Sequence, residues 1–357
     1  MNYRNILITG GAGFVGSNLA VGLKIHYQGV AVTVVDNLKR RGSELNISRL
    51  REHGVTFLHA DIRNPEDLAL DGPVEVIIEC SAEPSVLAGY GSNPLYMIQT
   101  NLAGTVNCLE VARRKRADFL FLSTSRVYPY DKLNRIRYHE AETRFVWDAG
   151  QSVRGWSLAG IEADFPLDGA KTLYGATKLA SELLIAEYMD LCGIQCTINR
   201  CGVIAGPWQF GKVDQGVFTF WMMGHVFKRP LTYIGYEGSG KQVRDLLHID
   251  DLVALINLQL SDMGKGSGKT YDVGGGIDGS LSLLECSHLC REITGNHVPI
   301  GIELSPRKGD VVIYIGNNRR AQEDYGWFPK KSPKEVLQDI HTWIIKHEPM
   351  LRSLSNW

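Results

Sequence analysis

Tyr174 and Lys178 lie four residues apart in Tyr174-Gly175-Ala176-Thr177-Lys178, so on a helix a phenol and an ammonium share one face. A tyrosine with an ordinary pKa near ~10 is a poor base at neutral pH, but a fixed neighbouring cation favours the phenolate. Such a phenolate could take a proton from an alcohol while hydride leaves the same carbon. A lysine so placed could also hydrogen-bond the ribose of a nicotinamide nucleotide. A hydroxyl from Leu122-Ser123-Thr124-Ser125-Arg126-Val127-Tyr128, either Thr124 or Ser125, could join the same network from a strand end.

That chemistry needs a hydride acceptor, and the first 36 residues supply its cradle. Asn5–Thr9 reads as a short apolar strand and runs straight into Gly10-Gly11-Ala12-Gly13-Phe14-Val15-Gly16. Gly10 permits the sharp turn into a helix. Gly13 lets a pyrophosphate approach the backbone, and Gly16 lets the helix pack closely. Unpaired N–H groups and the positive end of the helix dipole then receive the phosphates. The next strand, Val30–Val35, ends in Asp36, about 20 positions beyond the last glycine, where a carboxylate grips ribose hydroxyls and repels a 2′-phosphate. NAD is expected over NADP. Lys39, Arg40 and Arg41 read as solvated surface or as a rim facing the diphosphate.

The elements that position these groups alternate strand and helix. Helix Phe14–Tyr27 is followed by strands at Thr56–Leu58 and Val74–Glu79, helix Leu95–Arg116, strand Phe119–Leu122, helix Tyr174–Leu191 and strand Gln195–Arg200. This predicts an α/β fold, a Rossmann-type doubly wound parallel sheet whose ligands lie beyond the strand carboxyl ends. Gly10, Asp36, Asp61, Thr124 and Arg200 fall there. Beyond Arg200 the pattern loosens into a smaller mixed α/β C-terminal substrate lobe. Helices are expected at Val217–Phe227, Asp250–Leu260, Leu281–Thr294 and Pro333–Lys346, and a strand at Lys269–Val273. Residues 1–200, joined by roughly 241–275, are assigned to cofactor binding, and 201–240 with 276–357 to the lobe. Between Tyr128 and Tyr174 lies an aperiodic segment rich in charges and aromatics, read as a lid or substrate-shaping insert.

Composition narrows the rest. The 357 residues carry a net charge of −1, which removes any general attraction to nucleic acid or membranes. No apolar run is long enough to span a bilayer, and the N-terminus enters its strand without room for a signal peptide. Seven cysteines without zinc-like spacing predict core packing in a reducing cytoplasm, and no metal site.

Together these motifs resemble the extended short-chain dehydrogenase/reductase family of nucleotide-sugar epimerases and dehydratases. The resemblance also rests on Asp61-Ile62-Arg63, Asn101 in QTNLAGT, STSRVY, YGATK, Gly206-Pro207, VRDLLHIDDL and YDVGGG. It implies NAD as cofactor and selects Thr124 as the catalytic hydroxyl beside Tyr174 and Lys178. Cofactor contacts would come from Gly10, Gly13, Phe14, Val15 and Gly16 at the diphosphate, and from Asp36, Asn37, Asp61 and Ile62 on the adenosine side. Ser81, Ala82, Asn101, Ser123, Tyr174, Lys178 and Arg200 would line the remainder. Dehydratases of the family follow the threonine with Asp-Glu; here Ser125-Arg126 stand there, and an arginine cannot abstract a proton at neutral pH.

Within the family, HEAETR at His139–Arg144, the long insert, VDQG at Val213–Gly216 and GSGKQVRDLLH resemble the CDP-tyvelose (CDP-paratose) 2-epimerase group. That likeness implies a CDP- or UDP-linked sugar as substrate. Ser125, Arg126, Gln209 and Gln215 would meet it, and Arg244 and Arg307, with Asp310 nearby, would clamp its diphosphate. It also implies a homo-oligomer, dimer or tetramer. The sequence departs from the family pattern at Glu79-Cys80-Ser81-Ala82, at Glu83-Pro84, at Val203–Pro207 and at Pro129, all near the expected sugar pocket. A 4-epimerase or reductase on the same scaffold, or a non-catalytic NAD sensor, remains the alternative; sensors typically lose the Tyr/Lys pair.

Overall fold

The computed structural model describes residues 1–91, 93–211 and 215–354. Seven parallel strands form the main sheet: β1 Asn5–Thr9, β2 Ala31–Asp36, β3 Thr56–His59, β4 Val76–Glu79, β5 Asp118–Thr124, β6 Cys196–Cys201 and β7 Lys269–Val273. Their order is β7-β6-β5-β4-β1-β2-β3, with the reversal of direction beside β1 that opens a crevice at the carboxyl ends. Alternation along each strand feeds two cores. Ile6, Ile8, Val32 and Val34 pack under α1 (Phe14–His26), while Leu7, Ile77, Phe119 and Phe121 face Cys108, Leu109 and Ile185 on the other side.

That second face is covered by α2 (Gly104–Lys115) and α3 (Leu173–Cys192). Gly104–Lys115 continues Leu95–Ile98 through a π turn at Gln99–Ala103. The Thr172 hydroxyl caps α3 by accepting from the Gly175 N–H, and Gly193 at φ 65° ends it, so Tyr174 enters in the first turn.

The lobe holds α4 (Val217–Val226), α6 (Leu283–Thr294) and α7 (Pro333–Lys346), whose Trp221, Met222, Cys286, Ile340 and Trp343 form their own core. Helix α5 (Ile249–Ser261) instead packs on the main sheet with α1. Helix α6 begins two residues later than the sequence pattern suggests. Ser280–Ser282 is a strand antiparallel to Val243–His248, and Ser282 forms a capping box with Glu285. Val243–His248 itself belongs to the second sheet, pairing also with Val203–Ala205 and Ile313–Tyr314. Among the described residues no helix is long and apolar enough to cross a membrane, and all seven cysteines are free thiols, five of them buried.

The segment between Tyr128 and Tyr174 is no open lid. It forms a one-turn helix, Tyr130–Leu133, and two hairpins, Tyr138–Glu140 with Phe145–Trp147 and Trp156–Ser157 with Gly160–Ile161. Its Phe145, Trp147, Ile161 and Phe165 are buried against Val311–Ile315. Arg144 fastens it to the lobe, donating to both Glu285 oxygens at 2.8 and 2.5 Å and to Ser280. The aromatic content of the segment forms a core.

Where the insert meets both sheets, Asp245 is fully buried. Its Oδ2 accepts from the Gly316 N–H at 2.9 Å, and its Oδ1 has no hydrogen-bond partner among the described residues. A Cβ on Gly202 would lie 2.5 Å from Oδ1, and one on Gly274 only 1.8 Å from Oδ2. Burial pushes the pKa of Asp245 up to about 8 and that of neighbouring Asp272 up to about 7.

Candidate active site

The turn after β1 has the shape the fingerprint requires. Gly10 sits at φ 63°, where a Cβ would collide with the Cys80 and Ser81 backbone at 2.8–2.9 Å. A Cβ on Gly16 would stand 2.4 Å from the Gly10 carbonyl oxygen, so the first turn of α1 folds tightly onto the loop. Gly13 is the N-cap, with no side chain over the free N–H groups of Phe14, Val15 and Gly16. Asp36 ends β2 and accepts from Ala12 N at 3.1 Å and Leu38 N at 2.8 Å. Burial raises its pKa, and those backbone donors, with that of Gly13, hold it back.

Asn37 donates to Asp61 at 2.9 Å, and Arg63 forks onto the same carboxylate. Burial would raise Asp61, but the hydrogen bonds from Arg63 and Asn37 outweigh it and bring its pKa down to about 2. Ile62 packs on Gly104, and its carbonyl is held by Asn107. In the basic loop Lys39 and Arg41 are exposed, Lys39 lying 3.0 Å above the Tyr96 ring on which Arg63 also stacks, while Arg40 donates to the Phe210 carbonyl.

Across the crevice, Tyr174 hydrogen-bonds Thr124, whose hydroxyl also accepts from Arg126 N at 3.2 Å and so caps the turn Ser125–Val127. Burial raises the Tyr174 pKa to about 12; the Thr124 bond and the Arg126 charge pull it down, and Glu83 adds to the rise. The cation felt most directly by the phenol is therefore Arg126. Lys178 is 1% exposed, its ammonium 3.7 Å above the Phe121 ring, and burial lowers its pKa against the attraction of Glu79 and Glu182.

Beside Tyr174 a cleft is lined by Ser125, Arg126, Tyr130, Thr172, Arg244 and Gly309. Arg244 pairs with Asp310 at 2.7 Å, and Arg126 donates to the Gly309 carbonyl at 3.2 Å. Burial and the neighbouring Arg244 both lower the pKa of Arg126. Two guanidiniums against one carboxylate leave an excess positive charge, which suits an anionic group. Arg307 is half-buried, and its carbonyl accepts from Asp310 N in the same turn.

Some expected contacts fall elsewhere. The side chains of Ser123 and Arg200 do not reach the crevice but join a buried network. Ser123 donates to Glu182, and Arg200 is bidentate on Glu182 at 2.7 and 3.2 Å while also donating to the Tyr128 hydroxyl and the Ala163 carbonyl. Asn101 clamps rather than lines: its amide accepts from Glu83 N at 2.7 Å and donates to the Glu83 carbonyl and the Thr177 hydroxyl. Gln209 is spent within its own loop, on the Ile204 carbonyl and the Thr219 hydroxyl. Gln215 reaches across to Glu83 at 3.2 Å. Ser81 and Ala82 follow β4 against Gly10. Val213 and Asp214 of VDQG lie outside the described residues. The sequence reading passed over Glu83 and Tyr96 as site residues, although the charged departure at Glu83 was a usable signal.

Residues 6–274 match the model of the NAD dependent epimerase/dehydratase family. The chain belongs to this family. CDP-paratose 2-epimerase of Salmonella typhi is 30% identical over 348 residues, 95% of this chain and 98% of that one. UDP-glucose 4-epimerase of Corynebacterium glutamicum is 25% identical over 345 residues, 94% of each chain. The crystal structure of UDP-glucose 4-epimerase from Thermotoga maritima with UDP-glucose has a TM-score of 0.79 at 26% identity, covering 96% of this chain and 99% of that one. As an epimerase/dehydratase the protein is an enzyme that takes NAD. Its residues fit the cofactor: the Gly10–Gly16 turn leaves no room for side chains where a diphosphate would rest, and Asp36 ends β2 at the ribose position.

Proposed function

We propose that this epimerase/dehydratase inverts one ring carbon of a nucleotide-diphosphate sugar, in the manner of a CDP-paratose 2-epimerase. The observation that carries the reading is Arg126 beside the Thr124–Tyr174 pair, where an eliminating enzyme needs a carboxylate base. An always-charged guanidinium cannot remove a proton from carbon, but it favours a developing phenolate and a sugar oxygen that gains negative character. The resemblance to the Salmonella typhi protein over nearly all of both chains supports the position of attack.

NAD, when bound, supplies a site that takes a hydride from carbon and returns it. The chain's part is proton transfer and restraint. Tyr174 takes the hydroxyl proton as the carbon–oxygen bond becomes a carbonyl and gives it back on the return, with Thr124 holding the line of transfer. Arg244 and Arg307 tether the diphosphate while the flat keto-sugar presents its other face. Asp36, Asn37 and Asp61 hold the adenosine side, and Asn101 fixes the Glu83 loop. Residues 1–200 with roughly 241–275 would serve the cofactor and the remainder the sugar nucleotide, in a homo-oligomer. The Tyr130–Leu133 helix would shape the sugar pocket.

A 4-epimerase is the second reading, favoured by the Thermotoga maritima likeness. Purified protein would be incubated with CDP- and UDP-sugars and product stereochemistry followed by NMR. Tyr174→Phe should retain NAD and lose turnover roughly 100- to 10,000-fold. Undiminished turnover in that variant, or inversion at carbon 4 alone, overturns the reading.

A further inference from the structure

Glu79 ends β4, is fully buried, and has no part in the steps above. In the sheet register it stands between Thr9 and Phe121. Cross-strand partners project from the same face, and the Lys178 ammonium lies over that same Phe121 ring. Carboxylate and ammonium therefore occupy one nest beneath α2 and α3. The Thr105 hydroxyl donates to Oε1 at 2.7 Å, and Oε2 has no hydrogen-bond partner among the described residues.

The other groups facing this nest cannot balance a buried ammonium. Cys80 follows β4, Cys108 is on α2 and Cys201 ends β6; burial raises all three thiols and keeps them neutral. Glu182, one turn along α3, already gives both oxygens to Arg200 and accepts from Ser123. An ammonium held out of water without a counter-charge is costly. The carboxylate left to supply it is Glu79.

We propose that Glu79 is the counter-charge of Lys178, a positioning residue that keeps the ammonium of the Tyr174/Lys178 pair protonated. The inference rests on Tyr174 and Lys178 being the proton-transfer pair. Burial pushes the Glu79 pKa up to about 7 and draws that of Lys178 down, and attraction between the two opposes both shifts. The charge state beside Lys178 thus changes around neutral pH.

The test uses full-length protein labelled with ¹³C at lysine Cε, the Lys178 signal assigned by its loss in Lys178→Arg. In wild type the signal should show a step near pH 7 as Glu79 ionises. In Glu79→Gln that step should vanish, and Lys178 should deprotonate at least tenfold more readily. Glu79→Asp should stay near wild type. Superimposable Lys178 titrations in wild type and Glu79→Gln overturn the proposal. If Glu79→Gln does not fold, Thr105→Val strips the bond to Oε1 and should move the step upward; an unmoved step is equally fatal. In turnover, Glu79→Gln should change the pH profile of kcat and leave the KM for the sugar nucleotide alone. The two readings fail separately: a shifted Lys178 in a protein without epimerase activity removes the function and keeps the pair, whereas turnover with an unshifted Lys178 does the reverse.

Discussion

Asp245→Asn should stabilise the chain at neutral pH, by an amount that grows as pH rises. Gly202, Gly274 and Gly316 crowd the carboxyl so closely that only a flat group of this size fits, and asparagine has the shape of the protonated acid. It can still accept from the Gly316 N–H. In the folded chain the Asp245 pKa stands at about 8 against 3.8 ordinarily, so the native state holds its proton more tightly than the unfolded one. The stability this confers is complete below the ordinary value and drains away as pH climbs through the folded one. One proton is worth about 1.4 kcal/mol per pH unit, or roughly 3 kcal/mol between pH 5 and 7. The asparagine side chain has no such slope. Asp272, raised to about 7, adds a decline of its own, and its charge is among the causes of the Asp245 rise, so the difference between the two proteins reports Asp245 together with that coupling. Urea unfolding at pH 5, 6, 7 and 8 measures it. The variant's advantage should widen up to about pH 8 and then level off. A constant difference across that range refutes the argument that Asp245 is held protonated.

Gly16→Ala places a methyl 2.4 Å from the Gly10 carbonyl oxygen, and overpacking of that kind costs about 1–3 kcal/mol. NAD affinity measured by calorimetry should fall roughly 5- to 150-fold, and an unchanged affinity removes the turn from the cofactor site. Arg244→Ala leaves Asp310 without its guanidinium partner and the cleft with Arg126 alone. Charged hydrogen bonds contribute about 1.5–3 kcal/mol, so the KM for the sugar nucleotide should rise roughly 10- to 100-fold with kcat less affected; an unaltered KM places the diphosphate elsewhere.

The sheet was legible because its signals are local. Runs such as Ile6–Ile8 and Val76–Ile78 are apolar throughout since both faces are covered, and the glycine turn carries its own steric reason. The Tyr174/Lys178 spacing needed only the period of a helix. What failed was long-range pairing. Arg200 sits at a strand's carboxyl end as expected, but that position does not reveal Glu182 waiting on α3 to claim its guanidinium. Gln209 was likewise claimed by Thr219, ten residues on. The insert looked aperiodic because its strands are two or three residues long, too short for alternation to register, while the partners of Phe145 and Trp147 lie near residue 312.

The π turn at Gln99–Ala103 is, in effect, one surplus residue in an otherwise regular rod. Each α-helical residue turns the chain by roughly 100°, so the surplus shifts the phase of everything before it. On one side stands Tyr96, its ring in contact with Lys39 and Arg63; on the other, the residues that rest against Glu79 and α3. Excising any single residue from 99–103 would leave a smoother rod whose two ends no longer aim at the same crevice. Irregularity here acts as a gear, meshing the Asp61 end of the cleft with the Lys178 end.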